Sequence, residues 1–335
     1  MAQDIRDITI IGGGPTGLYA AFHAGMREMS TRIIDSLPEL GGQLMALYPE
    51  KYIYDVGGFP RILAKELAAA LIEQALQFEP DVVLDEEVQT ITTGPDGLIL
   101  QARNERFVTR TLVLAGGKGA FEPTKLKRPG YDEFLGKGVY YAVKDPETFR
   151  GKRVLIVGGG DSALDWALSL KDLAADLLLI HRRDHFRAHQ RTVAQLADAS
   201  AAGELAFRSF HEVKEIRGAD AVESVVIFDN RSGEEEAVEV DAVLTFLGFK
   251  PDLGPIKSWG LESERGRVKV SRLMETSVPR VYAAGDLVDY EGKLDLIATG
   301  FAEAAVAVNH ALHYVNPGAR VTPGHSTSMK IFTEK

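Results

Sequence analysis

The feature that most constrains this chain is a supersecondary unit written twice. Residues 8–22, ITIIGGGPTGLYAAF, read as an apolar strand, a Gly12-x-Gly14-x-x-Gly17 loop and a helix-compatible run. Residues 153–168, RVLIVGGGDSALDWAL, repeat the strand, the loop as Gly158-x-Gly160-x-x-Ala163, and the helix. One glycine-rich loop is a weak signal, whereas an internal repeat of the whole unit is far more specific. The need for glycine is steric: the first turns the chain sharply, the second leaves bare backbone for a pyrophosphate, and the third lets helix and strand pack closely. Phosphates would then meet a helix N-terminus, where free N–H groups and the helix dipole favour negative charge.

A length of 335 residues exceeds the ~250–300 at which single cores split. With the repeat, this predicts an α/β protein of two Rossmann-like, three-layer dinucleotide-binding domains. The strand at 112–115 ends in Gly116-Gly117, and a later strand at 281–284 ends in Gly285-Asp286 before a helix-compatible run over 298–314. A return of the chain there makes the first domain discontinuous, 1–117 plus 283–335, with the second at 118–282. The crossings fall near Lys118 and Tyr282, where glycines 116, 117, 119 and 285 would permit rotation. Between the motifs, 36–60 reads as a long ordered loop, 61–78 as an amphipathic helix, and 82–113 as an antiparallel meander broken at Gly94-Pro95-Asp96-Gly97. The stretch 241–251 echoes the one that ends at Phe121-Glu122-Pro123.

The two loops differ at the end of the following strand. Asp35 lies close to the roughly 20-residue spacing at which an acid bonds a ribose hydroxyl. The equivalent offset in the second repeat lands on His181-Arg182-Arg183, with Arg187 one turn further on. Guanidinium groups grip a 2′-phosphate that an acid would repel, so the second loop reads as NADPH-selective. Its expected contacts are Gly158, Gly160, Asp161, Ser162 and Ala163 in the loop, then His181, Arg182, Arg183 and Arg187. A second dinucleotide site on the same chain implies a second redox cofactor, and FAD fits the first loop because it shares the ADP half and its flavin accepts hydride.

Composition narrows the chemistry. A formal net charge of −10 argues against nucleic acid and anionic membrane partners. The absence of cysteine removes disulfides, thiolate metal sites and electron transfer through a protein dithiol, and fits a reducing, cytoplasmic setting. The first strand begins too early for a signal peptide, and no apolar run approaches the ~20 residues of a membrane span. No metal ligand set stands out.

The order GGGPTG, GGQL, GGGDSALDWA, HRRDHFR and AAGD resembles the two-domain flavoproteins of the thioredoxin reductase type over nearly the whole chain. Those enzymes carry Cys-x-x-Cys after a Gly-Val-x-Tyr stretch. Here Gly138-Val139-Tyr140-Tyr141 leads into Ala142-Val143-Lys144-Asp145, which excludes thioredoxin reduction by that route. The loop LYPEKYIYDVGGFP and the tail Pro323-Gly324-His325-Ser326-Thr327-Ser328 look like the thioredoxin-reductase-like ferredoxin (flavodoxin)–NADP⁺ reductases. That resemblance implies a homodimer and hydride transfer between NADPH and FAD, coupled to one-electron transfer with ferredoxin or flavodoxin. It implies FAD contacts from Thr16, Asp35, Gln43, Tyr48, Val88, Phe121, Asp286 and Thr327 beside Gly12, Gly14 and Gly17, with Tyr48 and His325 on opposite faces of the isoalloxazine. The flavin carries the chemistry, no catalytic acid or base is required, and the helix from about Ala298 would point its positive end at the pyrimidine side. The competing readings are an NADPH diaphorase, a flavin monooxygenase-like enzyme, whose Phe-x-Gly-x-x-x-His stretch is missing between Gly117 and Gly158, or a non-catalytic NADPH/FAD redox sensor.

Overall fold

In the computed structural model, which describes residues 4–117, 119, 122–143, 145–250 and 253–333, the first repeat folds as β1 (Ile5–Ile11) running into α1 (Pro15–Met26). Ile8, Thr9 and Ile10 are all fully buried, as a strand with neighbours on both edges and cover on both faces requires. The chain continues through β2 (Thr31–Ile34), a short α2 (Gln43–Ala46), a hairpin of β3 (Tyr52–Ile53) and β4 (Ile62–Leu63), and α3 (Ala64–Leu76). Then come β5 (Asp81–Val83), β6 (Val88–Thr93), β7 (Leu98–Ala102) and β8 (Arg106–Leu114).

These strands form one sheet in the order β5-β2-β1-β8-β7-β6. The first four are mutually parallel; β6 and β7 run antiparallel, as the alternating sequence predicts. One edge of β8 serves two partners: Arg106–Thr109 pairs with β7, and Leu112–Leu114 pairs in parallel with the late strand Val281–Ala283. Alternation along β8 sends Val113 into a core with α1, α3 and α6 (Ile297–Val315), and sends Leu112 and Leu114 into a second core on the opposite face.

The chain divides into two units, Met1–Phe121 with Pro251–Lys335, and Glu122–Lys250. The return therefore precedes the expected position at 283. Leu253, Ile256, Trp259 and Val268 are buried with Leu98, Leu112 and Leu114, and the Trp259 indole donates to Gln89 O at 2.9 Å. Gly285 accordingly lies inside the first unit rather than at a crossing. The echo between the two connecting stretches is a pairing: Phe249 and Lys250 run antiparallel to Pro123 and Glu122.

The second unit holds a parallel sheet in the order Val139–Tyr140, Ala242–Phe246, Arg153–Gly158, Asp176–His181, Ala206–Ser209. Helices α4 (Asp161–Leu170) and α5 (Gln190–Ala201) pack against it through Ala163, Leu164, Ala167 and Leu196. A separate antiparallel sheet comprises His211–Gly218, Val222–Asp229 and Glu235–Glu239.

Helix α1 also buries a histidine. His23 packs edge-on against Tyr19, its Nδ1 has no hydrogen-bond partner, and burial followed by the Arg27 charge lowers its pKa to about 4. Between that value and the ordinary 6.5 the unfolded chain binds the proton and the folded chain does not, so stability rises with pH across this window. A His23→Leu variant is expected to flatten the pH dependence of thermal unfolding between pH 4 and 6.5, a slope of about 1.4 kcal/mol per pH unit for one group. An identical slope in the variant would assign the dependence elsewhere.

Candidate cofactor sites

In each parallel sheet the glycine-loop strand sits where the strand order reverses. β1 lies between β2 and β8, and Arg153–Gly158 between Asp176–His181 and Ala242–Phe246. Open α/β sheets bind ligands at the C-terminal ends of the strands at this position.

The first loop is built by contacts that only glycine permits. Gly12 has φ +109°, its N–H donates to Ile34 O at 2.9 Å, and a Cβ there would lie 2.5 Å from Ala115 O. A Cβ on Gly17 would lie 1.8 Å from Gly12 O. Gly41 N–H donates to Gly13 O at 2.8 Å, and a Cβ on Gly42 would stand 2.8 Å from the Gly14 Cα, so the GGQL stretch folds onto the loop. Gln43 reaches the end of β8: its Nε2 lies 3.0 Å from where a Gly117 Cβ would be.

Two helices begin here without a side-chain cap, α1 after Gly14 and α6 after Leu296. Their first turns meet at Thr16, whose Oγ1 would be 2.4 Å from a Cβ on Gly300 and 2.8 Å from one on Gly285. Converging, uncapped N-termini beside bare glycine backbone suit an anionic ligand.

Asp35 is buried, and its carboxylate accepts from the N–H groups of Gly13 and Leu37. Burial raises its pKa, and bonds from Leu37, Gly13 and Ser36 oppose the rise. Each oxygen retains a lone pair for a ribose hydroxyl. The Tyr48 phenol, pushed up to about 12 by burial and then by the Asp286 and Asp55 charges, stays neutral throughout the working pH range. The structure thus gathers Gly12, Gly14, Thr16, Gly17, Asp35 and Gln43 at one crevice, and Asp286 follows Gly285, which sits against Thr16 there.

Three expected FAD residues stand apart. The Val88 side chain is 4% exposed in the core, which leaves its backbone for contact; Glu86 N–H beside it donates to Asp35 O. His325 and Thr327 are exposed, on a tail held at the opposite end of α1. There Arg27 donates to the carbonyls of Arg320 and Val321 and to Asn309 Oδ1, and Phe332 meets Phe78. A helix of 12 residues is about 18 Å long, so the tail is well removed from the glycine loop of its own chain. Phe121 lies outside the described residues.

One buried group near the crevice escapes the sequence reading. Glu303 accepts from Gly285 N–H, the Tyr290 hydroxyl and the Lys293 ammonium. Its signal was a lone carboxylate in the apolar run GFAEAAVAV.

In the second unit, a Cβ on Gly158 would lie 2.6 Å from Phe246 O and 2.8 Å from the Ala163 Cβ. Gly160 is open, and α4 starts after it with Asp161 and Ser162 exposed and no side-chain cap. The His181 ring lies over Gly159, stacks on Phe186 with centroids 5.3 Å apart, and bonds His185 O through Nε2. Burial lowers its pKa. Arg187 N–H donates to Gly159 O, His189 N–H to Asp161 Oδ1, and Asn230 Nδ2 to Arg182 O. The loop is fixed by these bonds, while the Arg182, Arg183 and Arg187 side chains are exposed and form no ion pair among the described residues.

Two crevices of this kind, one ending in a buried carboxylate and the other in exposed guanidiniums, define a two-cofactor pyridine-nucleotide oxidoreductase. A profile of the pyridine nucleotide-disulphide oxidoreductase family matches residues 6–311. The chain is 50% identical to a ferredoxin–NADP reductase of Thermus thermophilus over 98% of both chains. It is 48% identical to a ferredoxin–NADP reductase of Sulfurisphaera tokodaii over 97% of this chain and 98% of that one. Among solved structures it is similar to the thioredoxin reductase of T. acidophilum, with a TM-score of 0.79 and 26% identity over 95% of this chain and 100% of that one. The chain belongs to the pyridine nucleotide-disulphide oxidoreductase family and, within it, to the ferredoxin–NADP reductases.

Proposed function

We propose that this protein is a cytoplasmic, homodimeric reductase that passes electrons between NADPH and ferredoxin or flavodoxin. The observation that carries the reading is the opposite chemistry of the two crevices on a chain without cysteine. The first fits FAD by its residues: bare backbone at Gly14 and Gly42, the uncapped N-termini of α1 and α6, and a buried acid at Asp35. When bound, FAD supplies hydride exchange with NADPH and single-electron exchange with the carrier. The chain supplies position and field. α1 offers free N–H groups to the pyrophosphate, Asp35 accepts from the ribose, and Gln43, Thr16 and Asp286 hold the rest of the cofactor. Tyr48 offers a neutral aromatic face. In the second unit, Gly158, Gly160, Asp161, Ser162 and Ala163 receive the NADPH pyrophosphate, with His181, Arg182, Arg183 and Arg187 at its 2′-phosphate. The first domain, 1–121 with 251–335, is then the FAD domain and 122–250 the NADPH domain.

The tail supports the homodimer. Because His325 and Thr327 lie at the far end of α1, they serve the flavin of a second copy. The exposed aromatics Tyr52, Tyr54 and Phe59, at 48%, 66% and 43% accessible, offer apolar surface for that contact.

The deciding experiment pairs an anaerobic assay with ferredoxin and a second assay in air without it. The purified yellow protein should pass electrons from NADPH to ferredoxin faster than it passes them to oxygen in air. Faster delivery to oxygen would make it a diaphorase, and flavin bleaching without transfer would make it a sensor.

A further inference from the structure

Glu303 is 3% exposed, and every partner around it is a donor. Its Oε2 accepts from Gly285 N–H at 2.7 Å; its Oε1 accepts from the Tyr290 hydroxyl at 2.8 Å and the Lys293 ammonium at 2.7 Å. The Lys293 side chain is itself 3% exposed, although Gly292 and Leu294 on either side face solvent. The chain therefore turns one lysine inward to meet one carboxylate.

Stability alone does not account for this. The cost of desolvating two charges cancels much of their attraction, and an apolar pair of similar volume often serves as well or better. An apolar pair lacks an acceptor for Gly285. Gly285 has φ +82° and sits against Thr16, and the next residue is Asp286, whose charge acts on Tyr48. Ala284 N–H is anchored to Leu114 O at 2.9 Å, and the bond to Glu303 anchors the next N–H along. Two consecutive backbone anchors fix the direction in which the chain presents Asp286.

We propose that Glu303 is a positioning residue of the flavin site: its carboxylate, neutralised by Lys293, holds the Gly285 N–H and thereby sets the Asp286 carboxylate relative to Tyr48 and FAD. The inference rests on FAD occupying the first crevice. Its test compares two double variants of the full chain, Lys293→Met with Glu303→Gln and Lys293→Met with Glu303→Leu. Both remove the charges and fill the space, but only the glutamine keeps an acceptor for Gly285.

Apoprotein is titrated with FAD and followed by flavin fluorescence and the visible band. The glutamine double is expected to bind FAD within about threefold of wild type. The leucine double should bind about tenfold or more weakly, with a displaced visible band; its stranded Gly285 N–H also lowers the apoprotein melting temperature, so the band of the FAD-saturated protein is the readout that separates positioning from stability. Equal affinity and equal spectra in the two doubles would overturn the proposal. Should the leucine double fail to fold, Lys293→Met with Glu303→Met replaces it, an unbranched side chain of similar length to glutamine without an acceptor: a displaced band relative to the glutamine double supports the proposal, and equal affinity and spectra overturn it. Wild-type apoprotein that takes up no FAD would instead remove the cofactor assignment, and this inference with it.

Discussion

Replacing both Arg182 and Arg183 by alanine should abolish the preference for NADPH over NADH. Each guanidinium offers a 2′-phosphate charge-assisted bonds worth about 1.5–3 kcal/mol, so losing both lowers kcat/KM for NADPH by about 10²- to 10⁴-fold. NADH carries no 2′-phosphate, and its kcat/KM should move by only a few-fold. The test is clean because the loop does not depend on these side chains. It is held by His181 Nε2 on His185 O, Arg187 N–H on Gly159 O and Asn230 on Arg182 O, bonds that alanine at 182 and 183 leaves in place. Both side chains are exposed and without ion-pair partners among the described residues, so their removal strands no buried charge. Steady-state kinetics with the two nucleotides decides the matter, and an unchanged preference ratio would sink the assignment.

The parts of this molecule legible in its sequence are those whose physics is local. The first glycine loop is legible because the positive φ of Gly12 and the packing of Gly17 on the Gly12 carbonyl are set within the loop itself. The strand ends at Asp35 and His181 follow by register once the loops are placed. Local patterns fail where a partner comes from far along the chain. Leu253–Val268 has no period that assigns it to a domain, and only its contacts with Leu98, Leu112 and Leu114 do so. The long loop after Asp35 hides α2 and the first strand of a hairpin with two residues per strand, elements too short to show a period. Lys293 looks like an ordinary surface charge, and the lone carboxylate of Glu303 in its apolar run has no visible partner, until the turn at 290–296 brings one into reach of the other. The tail's motif is readable, but the anchor that directs it away from its own glycine loop is Arg27, nearly three hundred residues earlier.

The second large effect separates two glycines of one motif. Gly14→Ala should leave the apoprotein folded, because Gly14 has φ −79°, which alanine tolerates, and its Cβ would find only the Gly42 Cα, at 3.8 Å. Its apoprotein stability should stay within about 0.5 kcal/mol of wild type. The methyl group would nonetheless occupy the approach to the α1 N-terminus, and overpacking there costs about 1–3 kcal/mol, so FAD affinity should fall by about tenfold to a hundredfold. Gly17→Ala should behave differently. Its Cβ would meet the Gly12 carbonyl oxygen at 1.8 Å, with backbone on both sides and no flexible side chain to yield, so loop and helix must separate. That variant should lose stability as apoprotein and lose the flavin as well. The second repeat carries Ala163 at the equivalent place, where its Cβ would stand 2.8 Å from a Cβ on Gly158, so there it is Gly158 that must stay bare. Flavin-to-protein absorbance ratios with thermal melts of both apoproteins measure the contrast. Full flavin retention in Gly14→Ala would place the pyrophosphate elsewhere, and wild-type melting of the Gly17→Ala apoprotein would refute the steric account of the loop.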